Sequence, residues 1–210
     1  MIENRLNKIC IAIFLLFSIS VGRASPQKLL DNISKNYLSD IPFVLDFRVK
    51  NINEEGKSVS QTKGEFIINE AKEFRVNYPS EDILYDGKWL WTYNKVNQQT
   101  VVEKFNPSST LSLIYDIING NLGSFNIKDA TQNGAIWELN LEPQNKNNFF
   151  QKIELTANEK GRVVEKAKYI DYRGKTIVVE FLSQQDTVIQ DSVFYDVRQS
   201  SKENLIDLRP

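Results

Sequence analysis

From Phe43 onward the apolar residues of this chain recur with a period of two, in runs closed by turn-forming residues at intervals of roughly 8 to 12. An extended chain sends alternate side chains to opposite faces, so this pattern builds a sheet with one apolar face. Strands are predicted over residues 43–49, 61–69, 73–78, 83–85, 88–93, 99–105, 125–130, 135–141, 150–157, 163–171, 175–184 and 192–197. Glu55-Gly56, Gly134, residues 158–161 and Arg173-Gly174 supply turns. Neither a repeat nor a long linker interrupts the rhythm.

The densest stretch covers residues 73–94, EFRVNYPSEDILYDGKWLWTYN. Phe74, Val76 and Tyr78 alternate with Arg75 and Asn77, and Pro79, which has no backbone donor, closes the run. Asp86-Gly87 reads as a two-residue hairpin turn. After it Trp89, Trp91 and Tyr93 fall on one side of a strand, and three large aromatic rings must be covered by protein or by a ligand.

Two helices are predicted. Leu29, Leu30, Ile33, Tyr37 and Leu38 recur at helical spacing over residues 26–38. Leu111, Ile114, Tyr115, Ile117 and Ile118 do so over residues 107–119, with Asn106 or Ser108 as the cap and Asn119-Gly120-Asn121 as the stop. The expected architecture is mainly β (α+β): an unclosed, strongly curved antiparallel barrel of ten or eleven strands with helices on its concave apolar face. Helices packed tightly there make an ordinary core, and helices packed loosely make a ligand cavity. The residue pattern leaves both open.

Residues 1–24 read as a secretory leader: Arg5 and Lys8 form the basic start, residues 9–21 a short apolar core, and Gly22-Arg23-Ala24 a small-residue cleavage site. One domain over residues 25–210 is then expected. Cys10, the single cysteine, lies inside the leader, which leaves the remainder without a thiol. The chain has no histidine, so Ser-His-Asp and Cys-His nucleophiles and His-ligated metals are excluded. The acidic pairs Glu54-Glu55 and Glu81-Asp82 sit in polar, turn-like stretches and read as solvated surface rather than a glycosidase pair. The 9 glycines are scattered singly, with no phosphate-cradling loop. No cofactor or metal is expected. A net charge of −1 argues against nucleic acid as a partner.

The ordered set Gly64-Glu65-Phe66, Phe74 to Pro79, Asp86-Gly87-Lys88, Trp91-Thr92-Tyr93 and Gln98 resembles the periplasmic outer-membrane lipoprotein carrier family, LolA. The resemblance implies a non-enzymatic, monomeric periplasmic protein that binds the acyl chains of lipoproteins. It would receive them from an inner-membrane ABC release complex and pass them to an outer-membrane acceptor. A sensor of the same fold that lacks transfer activity is a second reading; a carboxylate-based hydrolase is a third, distant one.

By alternation the lipid-facing side is assigned to Phe43, Leu45 and Phe47; Phe66 and Ile68; Phe74, Val76 and Tyr78; Trp137, Leu139 and Leu141; and Ile153 and Leu155. The lid face is assigned to Leu29, Ile33, Leu113 and Ile117. Phe74 falls where the family has a phenylalanine on its cavity wall. The chain departs from the family at Glu70-Ala71, which stand where other members have an arginine and a proline, the arginine donating to lid backbone. An ionised carboxylate accepts but cannot donate, so either the lid here is held differently or the protein belongs to a divergent branch with altered handover.

Overall fold

A computed structural model describes residues 25–70, 72–106, 109–145, 149–160, 163–187, 190–199 and 204–210. The expected leader lies outside these residues, as do Ala71 and Ser108.

Helix α1 (Pro26–Ser39) starts where the Ser25 hydroxyl accepts from the Lys28 amide and Pro26 presets the first turn. A three-residue link leads into β1 (Phe43–Ile52), and β2 (Ser58–Glu70), β3 (Glu73–Asn77), β4 (Glu81–Tyr85), β5 (Trp89–Asn94) and β6 (Gln99–Lys104) follow as a meander. Helix α2 (Thr110–Asn119) is bracketed by a capping box between Ser109 and Ser112 and by Gly120 in the left-handed region at φ 69°. Ser109 is thus the cap, in place of the expected Asn106 or Ser108, and α2 starts at Thr110. A second meander comprises β7 (Phe125–Asn133), β8 (Ile136–Pro143), β9 (Phe150–Asn158), β10 (Val163–Asp171) and β11 (Thr176–Asp186).

Antiparallel pairing of β1 with β11 joins the two meanders, so the described strands form one sheet in the order β12-β6-β5-β4-β3-β2-β1-β11-β10-β9-β8-β7. The described strands number twelve, close to the ten or eleven expected of the barrel. The strand the sequence reading lacked, β12 (Leu205–Asp207), runs parallel to β6. The sheet curls around one apolar core without closing, and α2 crosses from the β6 side to the β7 edge over the concave face.

At the 86–87 hairpin the Asp86 amide donates to the Trp89 carbonyl at 3.2 Å, which makes Gly87 and Lys88 the turn residues. Gly87 takes φ 80°, while Asp86 stays out of the turn and its carboxylate accepts from the Lys88 and Trp89 amides. Asp86 therefore acts as a side-chain turn former rather than through its tolerance of positive φ.

The strand expected over residues 192–197 is instead two short helical turns, α3 (Asp191–Phe194) and α4 (Asp196–Gln199). Phe194 and Val197 are 0% and 1% exposed in the same cluster. Residues three apart share a face on a helix but point to opposite faces of a strand, so burial of both on one patch selects the helix. These turns lie on the convex face against Ile67, Leu84, Trp91 and Tyr93. Protein, in the form of this C-terminal strap, covers the aromatic side of β5, while Leu90 between those rings joins the concave core. The helices are thus divided between the two faces instead of all packing inside.

Candidate functional site

The concave face draws its apolar lining from both meanders. Phe43, Leu45, Phe47, Phe66, Ile68, Phe74 and Val76 come from one half; Trp137, Leu139, Leu141, Ile153 and Leu155 come from the other, and all are buried in one cluster. Tyr78 packs against that cluster at its margin. From the helices Leu29, Ile33, Leu113 and Ile117 enter the same cluster. All these residues lie together as alternation predicts; their contact with lipid belongs to the proposal below. Glu70 is different: it ends β2, exposed and opposite Glu73, and its charge acts on Tyr195 of the strap.

Phe74 sits at the centre of a ring cluster. Its centroid lies 4.7 Å from Phe66, 5.4 Å from Tyr85, 5.6 Å from Phe105 and 5.3 Å from Tyr115 of α2. Sequence reasoning missed Phe105 and Tyr115 as part of this wall: Glu103 interrupts the apolar alternation that would lead to Phe105, which lies just past β6, and Tyr115 comes from α2. Tyr169, Ala167 and Val179 were missed as well, although alternation along β10 and β11 contains them.

Two hydroxyl hydrogen bonds tie the helices to the wall. The Tyr37 hydroxyl on α1 accepts from the buried Val164 amide of β10 at 3.2 Å, and burial pushes this phenol up to about 12. Thr110, the first residue of α2, lies 2.5 Å from the Tyr169 hydroxyl of β10. Beyond the end of α1, Gln184 Nε2 donates to Asp40 Oδ2 at 3.1 Å. The helices meet where Gly120 lies against Ser34; a Cβ at Gly120 would come within 2.6 Å of the Ser34 hydroxyl. Burial raises the Asp116 carboxyl on α2 to about 6, against a hydrogen bond from Asn121 that lowers it.

A cavity of about 80 Å³ lies between α1, the end of α2 and β7, lined by Leu30, Ile33, Ile117, Leu122, Phe125 and Leu141 among others. Sites for drug-sized ligands run to about 300–1,000 Å³, so this cavity is too small to hold one with the helices in place. An open groove of about 470 Å³ runs beside the end of α1, past Leu45, Phe181 and Leu182. Among the described residues no group of acidic, histidine or cysteine side chains could hold a metal, and no helix is long and apolar enough to cross a membrane.

The convex strap is held by charge. Arg75, 8% exposed, donates to the Val193 carbonyl and to Asp196 at 2.5 Å, and lies 3.5 Å from Asp82. Arg198 pairs with Asp86 at 3.2 Å and stacks 4.6 Å from the Tyr195 ring, whose hydroxyl donates to Glu73.

Comparison with known proteins agrees with this architecture. Among solved structures, an uncharacterized conserved protein from Thermus thermophilus superposes with a TM-score of 0.54 at 14% identity, over 86% of this chain and 98% of that one. A LolA superfamily protein from Nitrosomonas europaea gives 0.46 at 12% identity, over 82% and 98%. A putative outer membrane lipoprotein-sorting protein domain from Vibrio parahaemolyticus gives 0.44 at 11%, over 81% and 97%. No curated protein matches the chain. The family model for the outer membrane lipoprotein carrier protein LolA matches residues 43–195, most of the chain, and so the protein belongs to the LolA family.

Proposed function

We propose that this protein is a periplasmic carrier that takes the acyl chains of lipoproteins released from the inner membrane and delivers them to the outer membrane. In this reading residues 1–24 are a cleaved leader and residues 25–210 form a single carrier domain. One observation supports it above the rest: two helices apolar on their inner faces send Leu29, Ile33, Leu113 and Ile117 into the cluster that lines the apolar concave surface. Such a surface is a site occupied by its own cover, and a lipid chain enters by displacing that cover.

The magnitudes fit the task. Each CH₂ withdrawn from water is worth about 0.8 kcal/mol, so a chain of roughly 16 carbons gains on the order of 12 kcal/mol, enough to displace packed helices. A lining with few fixed polar contacts also permits release, because affinity then follows buried area and changes with the cover. The donor is an inner-membrane ABC release complex; the recipient is an outer-membrane acceptor.

The test combines the purified protein with membranes that hold an acylated lipoprotein and its release complex, and adds ATP. A soluble one-to-one complex is the expected product. If the lipoprotein stays on the membrane and free acyl chains do not bind either, the concave face is only a core and the carrier reading fails.

A further inference from the structure

Strand β11 is paired unequally on its two sides. It pairs with β1 from Thr176 to Asp186, but with β10 only from Thr176 to Glu180. Beyond Glu180 the ladder between β10 and β11 stops. Leu182 is an extra residue opposite β1, and Glu165 an extra one opposite β9. The Val164 amide of β10 goes to the Tyr37 hydroxyl of α1 at 3.2 Å and not to β11. Among the described residues, positions 181–186 of β11 therefore have no strand beside them on the β10 side. Backbone groups along such an edge are ready to pair with another chain.

This edge borders the open groove of about 470 Å³ beside the end of α1. Leu45, Val163 and Phe181 line the groove together with Leu182, which is 46% exposed. A strand added here gains apolar burial as well as backbone bonds. By contrast, every side chain of the β7 edge beyond Ile127 is exposed, so a strand added there would gain little more than the bonds.

Charge around the groove is one-sided. Glu165 lines it, Asp186 ends the free edge, Asp46 accepts from Ser183 of the lining, and Asp40 accepts from Gln184 of the lining. None of these four carboxylates forms an ion pair among the described residues. Of the bases on β1, β10 and β11, Arg48 and Lys50 pair with Glu180 and Lys168 with Glu154, which leaves Lys166. Helix α1 also ends here, with no base in its last turn to offset the negative end of its dipole.

We propose that residues 181–186 of β11 are a docking edge for an extended, basic segment of a partner protein. The segment adds to the sheet as a strand, sets an apolar side chain in the groove against Phe181 and Leu182, and brings cations beside Glu165 and Asp186. No acyl chain takes part, so the site stands apart from the carrier reading.

The probe is a capped peptide of about seven residues in which lysine alternates with valine, followed by residue-resolved amide exchange. It slows exchange within residues 181–186, and added salt weakens it. The counterpart with glutamate for lysine binds at least about ten-fold more weakly. Glu165→Lys combined with Asp186→Lys, two exposed positions, leaves the melting temperature unchanged and weakens the lysine peptide about ten-fold. Of two versions N-methylated at alternate residues, one keeps its affinity and the other loses it, because alternate amides face opposite sides of a strand. Equal binding of the lysine and glutamate peptides, no binding of either, or protection on β2 or β7 in place of β11 overturns the proposal. So does equal binding of both N-methylated versions, which would mean attraction by charge without strand pairing. Protection of residues 181–186 in the protein alone, with a dimer in sedimentation, would give the edge to a second copy and overturn it as well.

Discussion

The two faces of the sheet solve the same problem with opposite chemistry. On the convex side a small apolar patch, Ile67, Leu84, Trp91 and Tyr93, lies under a C-terminal strap fixed by Arg75, Arg198 and the Tyr195–Glu73 contact. On the concave side a far larger apolar surface lies under α1 and α2, and the bonds to the wall identified there come from neutral hydroxyls. Breaking a buried ion pair leaves a charge stranded, whereas parting two hydroxyls exchanges one polar partner for water. The convex cover is clamped by charge, and the concave cover rests on apolar area and hydroxyl hydrogen bonds.

The largest effect expected is at the concave centre. Phe74→Ala removes a fully buried ring from contact with four others and should destabilise the protein by about 4 kcal/mol in chemical denaturation. A loss under about 1 kcal/mol would mean the ring wall is loosely packed. From sequence alone Phe74→Glu looks like a clean test of uptake, but with this ring fully buried the carboxylate would be stranded in the closed form and the fold would suffer too.

Arg75→Ala comes next, at about 2 kcal/mol, because Asp196 and the Val193 carbonyl lose their donor, while Asp82 keeps Lys95 at 2.8 Å. Trp91 beneath the strap should then shift its fluorescence to the red. An unshifted spectrum in the folded variant would show that the strap does not depend on this clamp.

Gly120→Ala is smaller and specific to the concave side. It places a Cβ against Ser34 and strains a residue held at φ 69°, for a loss of about 1–2 kcal/mol. The strain falls where α1 meets α2, and chemical denaturation measures it; a loss under about 0.5 kcal/mol would mean that Ser34 gives way without cost.

The last effect concerns pH, and partial solvent exposure of the carboxyl reduces it. Burial raises the Asp116 carboxyl from 3.8 to about 6, so the folded protein holds this proton more tightly than the unfolded chain. Stability from this group is full below the unfolded value, declines as pH rises towards about 6, and is flat above. The melting temperature should therefore drop between about pH 4 and pH 6 by an amount that Asp116→Asn removes. A slope unchanged in that variant would assign the dependence to other carboxylates.

Much of this was legible beforehand, for a physical reason. Burial of one sheet face imposes a period of two, so Phe43, Leu45, Phe47, Phe66, Ile68 and Leu155 could be placed on the same side without coordinates. Helical spacing likewise put Leu29, Ile33, Leu113 and Ile117 on inner faces. The strap was misread because residues 192–197 are too few for either period to stand out. Phe105 and Tyr115 escaped because they reach Phe74 from a link and from a helix, not from a strand.

The sequence by itself determined most of the strands, their inward faces, the two longer helices, the lack of any histidine and the lack of any cysteine beyond Cys10, because each is a local consequence of spacing or composition. Only the tertiary structure decided which strands became neighbours across more than a hundred residues, as β1 and β11 do. It alone also decided that the β5 aromatics face outward under the strap and that Thr110 meets Tyr169. Those choices depend on how the sheet curls and where its edges come to lie, and no periodicity within a single strand encodes that.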